Sequence, residues 1–310
     1  MQKAVEIMKE VQKVVVGKER AIAGVMCAML AGGHILLEDI PGVGKTTMAL
    51  AFARAVDLSF KRMQFTPDVL PSDVTGYTIF HRETGKNEYI PGAAMCNLFL
   101  ADEINRTSSK TQSALLEVME EGSITVDGVT HPVPAPFWVI ATQNPVGSAG
   151  TQLLPESQMD RFMVCLNMGY PTVEEEVAIL QSRQEGNPMD TVRRVAGPEE
   201  FLGLQRQVNG VYVSDPVCRY AAALAAWTRT SPLLRLGVSP RGTLALVRMA
   251  KSVAYLSGKD YVVPENIQSI FQDVCAHRVL LSSKGRVAGM STRQVLEMAL
   301  QEVQAPGVAG

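Results

Sequence analysis

The stretch Asp39-Ile-Pro-Gly-Val-Gly-Lys-Thr-Thr47 constrains this chain more than any other. It follows the apolar run Ile35-Leu36-Leu37 and opens a helix-forming run from Met48 to Val56. Strand, glycine-bearing turn and helix form the setting in which backbone N–H groups cradle phosphate. Gly42 and Gly44 let the backbone curl so that successive N–H groups, Val43's among them, face one anion, and Pro41 stiffens the approach. Lys45 brings a positive charge to the β and γ phosphates, and the Thr46 hydroxyl is placed to ligate Mg²⁺. The helix carrying Thr47 adds its positive end. Such loops usually begin on glycine. Here that position is Asp39, whose charge would oppose phosphate unless the side chain turns away.

A second strand-like run, Leu98-Phe-Leu-Ala, ends in Asp102 and Glu103. Strand ends are where an α/β sheet places its ligand chemistry. Asp102 is expected to hold Mg²⁺, directly or through water. Strand alternation sends Glu103 the other way, where it can polarise an attacking water. After the next apolar run, Phe137 to Ala141, comes Asn144 before Pro145. A neutral amide there can hold the attacking water, although Asn before Pro is also an ordinary turn. Phosphoryl transfer further needs positive charge on the equatorial oxygens. Arg161, before the strand Phe162–Leu166, is a candidate to complete a neighbouring subunit's site. Arg241, after Ser239-Pro240, is a candidate to report nucleotide to a second domain and draw it closed. On local sequence alone either arginine also reads as a surface group.

The surrounding pattern alternates helix and strand. Residues 1–31 read as two short helices about Val14 to Lys18. Strands are expected at His34–Glu38, Phe60–Gln64, Leu98–Ala101, Phe137–Ala141 and Phe162–Leu166, with helices at Lys45–Val56 and Thr107–Glu121. The strands are apolar throughout rather than alternating, which predicts a parallel sheet covered by helices on both faces. Asp127-Gly128 signals a hairpin, and the segment from Val69 to Tyr89 reads as a second small hairpin or insert. Beyond Tyr170-Pro171 come Thr172–Arg183, Pro198–Asn209, Asp215–Trp227, Pro240–Leu256, Pro264–Leu280 and Thr292–Gln304, all helical in pattern with no strand among them. The expected division is an α/β nucleotide-binding domain over 1–185 and an all-helical lid over 186–310.

Composition narrows the classes. A net charge of −2 lacks the basic excess of a nonspecific nucleic-acid binder. The five cysteines form no CxxC pair and the four histidines have no ligand spacing, so no zinc site or disulfide framework is indicated, and a reducing, cytoplasmic setting is expected. The amphipathic N-terminus is no signal peptide, and no apolar run approaches a membrane span, so no direct membrane insertion is expected.

Several segments together resemble the MoxR-type AAA+ ATPases over nearly the full length. They are Glu38 to Thr46, Gln64-Phe-Thr-Pro-Asp-Val-Leu-Pro-Ser-Asp-Val-Thr-Gly76, Pro91-Gly92, Asp102-Glu-Ile-Asn-Arg106, Ala141 to Pro145, Leu154-Pro-Glu-Ser-Gln-Met-Asp-Arg-Phe162 and Val238-Ser-Pro-Arg241. The resemblance implies a P-loop AAA+ sheet followed by a small helical lid, with ATP and Mg²⁺ as cofactors. It makes Lys45 and Thr46 Walker A groups, Asp102 and Glu103 the Walker B pair, Asn144 the first sensor, Arg161 the arginine finger and Arg241 the second sensor. It implies that Val16 and Gly17 line the adenine pocket, and that the segment from Gln64 to about Pro91 carries a hairpin near a ring pore. It also implies a homo-oligomeric, commonly hexameric ring that remodels or matures protein clients, often with a von Willebrand factor A domain protein as partner. Client recognition would use the motor surface or a separate adaptor.

Two rival readings stand beside this one. A DNA-dependent motor or helicase loader shares the fold, but the insert mixes Asp73, His81, Arg82, Glu83, Lys86 and Glu88 rather than presenting a basic or aromatic stripe. A nucleotide switch without turnover has no need of Glu103.

Overall fold

The computed structural model describes residues 1–143, 154–184 and 186–307. Its strands in chain order are β1 (His34–Glu38), β2 (Phe60–Gln64), β3 (Gly76–His81), β4 (Lys86–Pro91), β5 (Leu98–Asp102), β6 (Ser123–Val126), β7 (Val129–Pro132), β8 (Trp138–Gln143), β9 (Phe162–Leu166), β10 (Leu234–Leu236) and β11 (Leu280–Leu281). Five of them form a parallel sheet in the order β2-β5-β8-β1-β9. The register pairs Glu38 with Gln143 and Gln64 with Asp102, so the carboxyl ends of these strands gather on one edge.

Apolar side chains alternate between the two faces, as a strand requires. Ile35, Leu37, Leu98, Leu100, Trp138 and Ile140 join one core with the helices Gln2–Gln12, Glu19–Leu30 and Lys45–Ala55. Leu36, Phe99, Ala101, Val139 and Phe162 join the other, beneath the helix Ser109–Glu121. Within the five-stranded sheet, the edge strand β2 is the largely exposed one. The Asp127-Gly128 turn has positive φ at both residues, 51° and 78°, and joins β6 to β7 as the sequence predicts. The expected second hairpin is β3–β4, preceded by a short helix, Pro71–Thr75.

The helical part contains Pro198–Asn209, Asp215–Thr230, Pro240–Leu256, Pro264–Cys275 and Thr292–Glu302. It also holds an antiparallel pair, β10–β11, where no strand was expected. The helix expected to reach Leu280 stops at Cys275, and a 3₁₀ turn, Ala276–Arg278, follows. That break delivers Arg278 to the sheet. Its guanidinium, 2% exposed, pairs with Asp160 at 2.8 Å and donates to the carbonyls of Phe162 (2.6 Å) and Met163 (3.1 Å). Trp138 packs edge-on against Phe201, with centroids 5.0 Å apart, and donates from Nε1 to the Met29 carbonyl. Arg248 donates to the Ala31 carbonyl. The lid is therefore fixed to the end of the sheet where β1 and β9 begin.

Candidate functional site

The phosphate-binding loop leaves the opposite end of β1. Gly42 and Gly44 have φ of 88° and 95°, values that a side chain opposes, and Gly44 caps the helix Lys45–Ala55. Lys45 Nζ donates to the carbonyls of Asp39 (2.7 Å) and Ile40 (3.1 Å). Burial pushes the Lys45 ammonium below its ordinary pKa, opposed by the charges of Asp39, Asp102 and Glu103.

Asp39 turns away from the loop's interior. Oδ2 accepts the N–H groups of Met168 (2.6 Å) and Gly169 (2.7 Å), and Oδ1 accepts that of Ile40 (2.9 Å). The residue is 4% exposed. In place of the usual glycine, a buried carboxylate ties the loop entrance to the segment after β9, and its charge is spent on amides rather than set against phosphate.

Two cavities meet at the loop. One, about 360 Å³, is lined by Pro41, Gly42, Lys45, Thr46, Asp102 and Glu103, with Gly44, Thr47, Arg62 and Gln64. The other, about 390 Å³, lies between the Val14–Lys18 turn, the loop from Gly42 to Thr47, and the helix Val173–Gln184. Val16 and Val43 line it together with Leu50, Ile179 and Met189, an apolar slot of the size that takes a planar base. Gly17 does not line it. This glycine, at φ 69°, makes the turn beside Val16, and a Cβ there would strike the Glu175 carboxylate.

Asp102 ends β5 with both oxygens engaged. The Thr142 hydroxyl donates to Oδ1 at 2.5 Å, and Arg62 donates to Oδ2 at 2.8 and 3.3 Å. Glu103 departs from the expected strand alternation. Its φ is 57°, in the left-handed region, its N–H donates to the Thr142 hydroxyl, and its carboxylate pairs with Arg106 at 2.8 Å. The left-handed turn, not the strand pleat, sets where this carboxylate points. Asn144 lies outside the described residues.

The donor set suits a hard cation. Thr46 and Asp102 offer two oxygen ligands on one cavity, beside the loop that would hold the phosphates. That fits Mg²⁺, which takes few protein ligands and completes its shell with phosphate oxygens and water.

The two candidate arginines come together, away from the loop. Arg161 pairs with Glu120 at 3.1 Å, and Arg241 pairs with the other oxygen of the same carboxylate. Both line a cavity with Gly32, Gly33 and His34, at the start of β1. The loop begins past Glu38, so a strand rising about 3.3 Å per residue puts roughly 13 Å of sheet between them. Arg241, the candidate to report nucleotide to the second domain, thus lies at the opposite end of β1 from its own chain's loop. The lid docks at the far end of the sheet, and Arg241 faces outward beside Arg161. Two partners escaped the sequence reading, Thr142 and Glu120, as did the pairing of Arg62 with Asp102. Glu120 carried one signal, since an acid in the last turn opposes the helix dipole and needs a cation nearby.

Residues 34–164 match the model of the ATPase family associated with various cellular activities (AAA), and residues 226–298 match an AAA lid domain. The uncharacterised Bacillus subtilis protein YeaC is 46% identical over 304 residues, covering 98% of this chain and 94% of the relative. Chaperone MoxR1 of Mycobacterium tuberculosis is 36% identical, covering 96% and 81%. A solved structure of a candidate ATPase from Cytophaga hutchinsonii superposes with a TM-score of 0.91 at 37% identity, covering 99% of this chain and 96% of that one.

Proposed function

The chain belongs to the MoxR family of AAA+ ATPases, and we propose that it couples Mg²⁺-dependent hydrolysis of ATP to ADP and phosphate, in a homo-oligomeric ring, to the remodelling of protein clients. One observation carries this reading. The phosphate loop shares a cavity with Asp102 and Glu103, while Arg161 and Arg241 stand together at the other end of the sheet. A protomer so built has phosphate binding and a water-polarising acid, and it offers its paired arginines outward to another copy.

In the proposed site Lys45 and the N–H groups from Gly42 to Thr47 hold the β and γ phosphates, and Val16 packs on the base. Thr46 and Asp102 hold Mg²⁺, which when bound neutralises charge on the phosphate oxygens. Glu103 takes the proton of the attacking water and Asn144 orients that water. Arg161 and Arg241 enter the neighbouring subunit's site, where positive charge stabilises the transferring phosphoryl group. We place the division between motor and lid at 185/186 and take the ring as hexameric.

The protein-client reading draws support from the chaperone designation of the Mycobacterium relative and from the exposed Tyr77, Ile79 and Phe80 on β3. A von Willebrand factor A domain protein is the proposed partner. A net charge of −2 weighs against nucleic acid. The proposed location is the cytoplasm, and among the described residues no helix is long and apolar enough to cross a membrane.

The test is ATP turnover per subunit against protein concentration, with Arg161→Ala alongside. Turnover should climb steeply with concentration and collapse in the variant while nucleotide binding survives. Turnover that stays flat down to concentrations where the protein is monomeric, and is untouched by the variant, overturns the shared site.

A further inference from the structure

We propose that Arg62 competes with the divalent cation for Asp102, so that metal loading and release of this arginine are one event. The inference rests on the assignment of Asp102 to the metal. Arg62 sits on the edge strand β2, paired in register with Leu100, and reaches one step diagonally to the carboxylate at the end of β5. Its Nη2 and Nε both donate to Oδ2, at 2.8 and 3.3 Å. The other oxygen is taken by the Thr142 hydroxyl, which is fixed in turn by the Glu103 N–H. Oδ2 is thus the oxygen for which a cation bound directly to Asp102 competes, and two donors of the guanidinium hold it.

The two occupants differ in what holds them. Thr142 belongs to a strand buried throughout and cannot withdraw. Arg62 is 48% exposed in its side chain and, among the described residues, is otherwise held by a 3.4 Å contact with Gln64. It is the donor free to leave. It also lines the cavity that receives the phosphates, so the departing guanidinium meets new negative charge within reach. Asp102 thus keeps a positive partner whether the arginine or the metal is in place, and never stands as an isolated part-buried charge.

The experiment reads metal affinity rather than turnover. Mn²⁺, followed by its electron paramagnetic resonance signal, is titrated into the full chain saturated with ADP, for the wild type and for Arg62→Ala, Arg62→Lys and Asp102→Asn. Removing the competitor should tighten Mn²⁺ binding about fivefold in Arg62→Ala, the scale of a partly exposed arginine–carboxylate pair. Arg62→Lys keeps the charge but loses the two-pronged hold, and should also bind Mn²⁺ more tightly than the wild type. Asp102→Asn should lose most of the affinity. If Asp102→Asn weakens Mn²⁺ while Arg62→Ala leaves it unchanged or weaker, the competition is refuted and the metal assignment stands. Equal affinity of Arg62→Lys and wild type reduces the effect to charge repulsion and also refutes it. Undiminished Mn²⁺ binding in Asp102→Asn overturns both.

Discussion

Replacing Asp39 by glycine would restore the residue with which phosphate loops usually begin, and the structure predicts that the change is harmful. Three N–H groups, of Met168, Gly169 and Ile40, end on this carboxylate at 2.6 to 2.9 Å. The site is 4% exposed, so the amide of Met168 would lose its acceptor with little water to replace it. A buried donor left unpaired costs about 1–3 kcal/mol, and hydrogen bonds to a charged acceptor lie at the upper end. Ile40 and Gly169 sit nearer solvent and recover part of theirs, which gives a loss of about 3 kcal/mol for Asp39→Gly. Asp39→Asn keeps the shape and one acceptor oxygen and should lose about 1 kcal/mol. The assay is urea unfolding at pH 7, paired with a fluorescent ADP titration. Affinity should fall in Asp39→Gly, because the loop entrance is no longer tied to the segment after β9 and Lys45 loses a supporting negative charge. A glycine variant as stable as the wild type that binds ADP equally well or better would falsify this account of Asp39.

Other expectations follow from the same geometry. Glu103→Gln should lower turnover by about 10²-fold or more while leaving ADP affinity within about twofold, since only the proposed proton acceptor is lost. Single-turnover kinetics and equilibrium binding separate the two. Arg278→Ala should destabilise the chain by about 3 kcal/mol, because Asp160 loses its cation and keeps only the Ser239 hydroxyl among the described residues, and carbonyls at the start of β9 lose a donor. Urea unfolding measures it, and a loss under 1 kcal/mol would show that the lid is held elsewhere. Acid should also weaken the fold through His34. Burial pushes its imidazole down to about 4, and the ring accepts the Val139 N–H at Nδ1 while Nε2 meets the Met119 carbonyl. The unfolded chain takes up that proton near pH 6.5 and the folded chain resists until about 4. Stability therefore falls as pH drops through this window, by about 2 kcal/mol at pH 5 from this group. His34→Gln should lose that share of the pH dependence, and an unchanged slope between pH 7 and 5 would count against it.

The nucleotide-binding half was readable because its signals are local. Parallel strands are continuous apolar runs, the glycines at 42 and 44 sit within one turn, and Asp127-Gly128 closes a hairpin on itself. What escaped depends on distant contacts. The direction of Asp39 is decided by amides 129 and 130 residues away. The turn of Glu103 comes from one left-handed residue supported by Thr142. β10 and β11 span three and two residues, too short for a periodic pattern. The position of Arg241 depends on where the lid docks, which Trp138–Phe201 and Arg278–Asp160 settle across the whole chain. A helix-start motif such as Ser239-Pro240-Arg241 says nothing of that.

The central claim is that one protomer's arginines complete another's phosphate site, and mixing two inactive variants tests it most directly. Glu103→Gln disables its own site and still offers Arg161. Arg161→Ala keeps its own Glu103 and, on this claim, disables the site it faces. If the site is shared, an Arg161→Ala subunit seated beside a Glu103→Gln subunit holds one complete site. Turnover should then appear on mixing and peak near equal proportions. No recovery at any ratio, with both variants binding nucleotide and co-assembling, would contradict the shared site and return Arg161 and Arg241 to structural roles on Glu120.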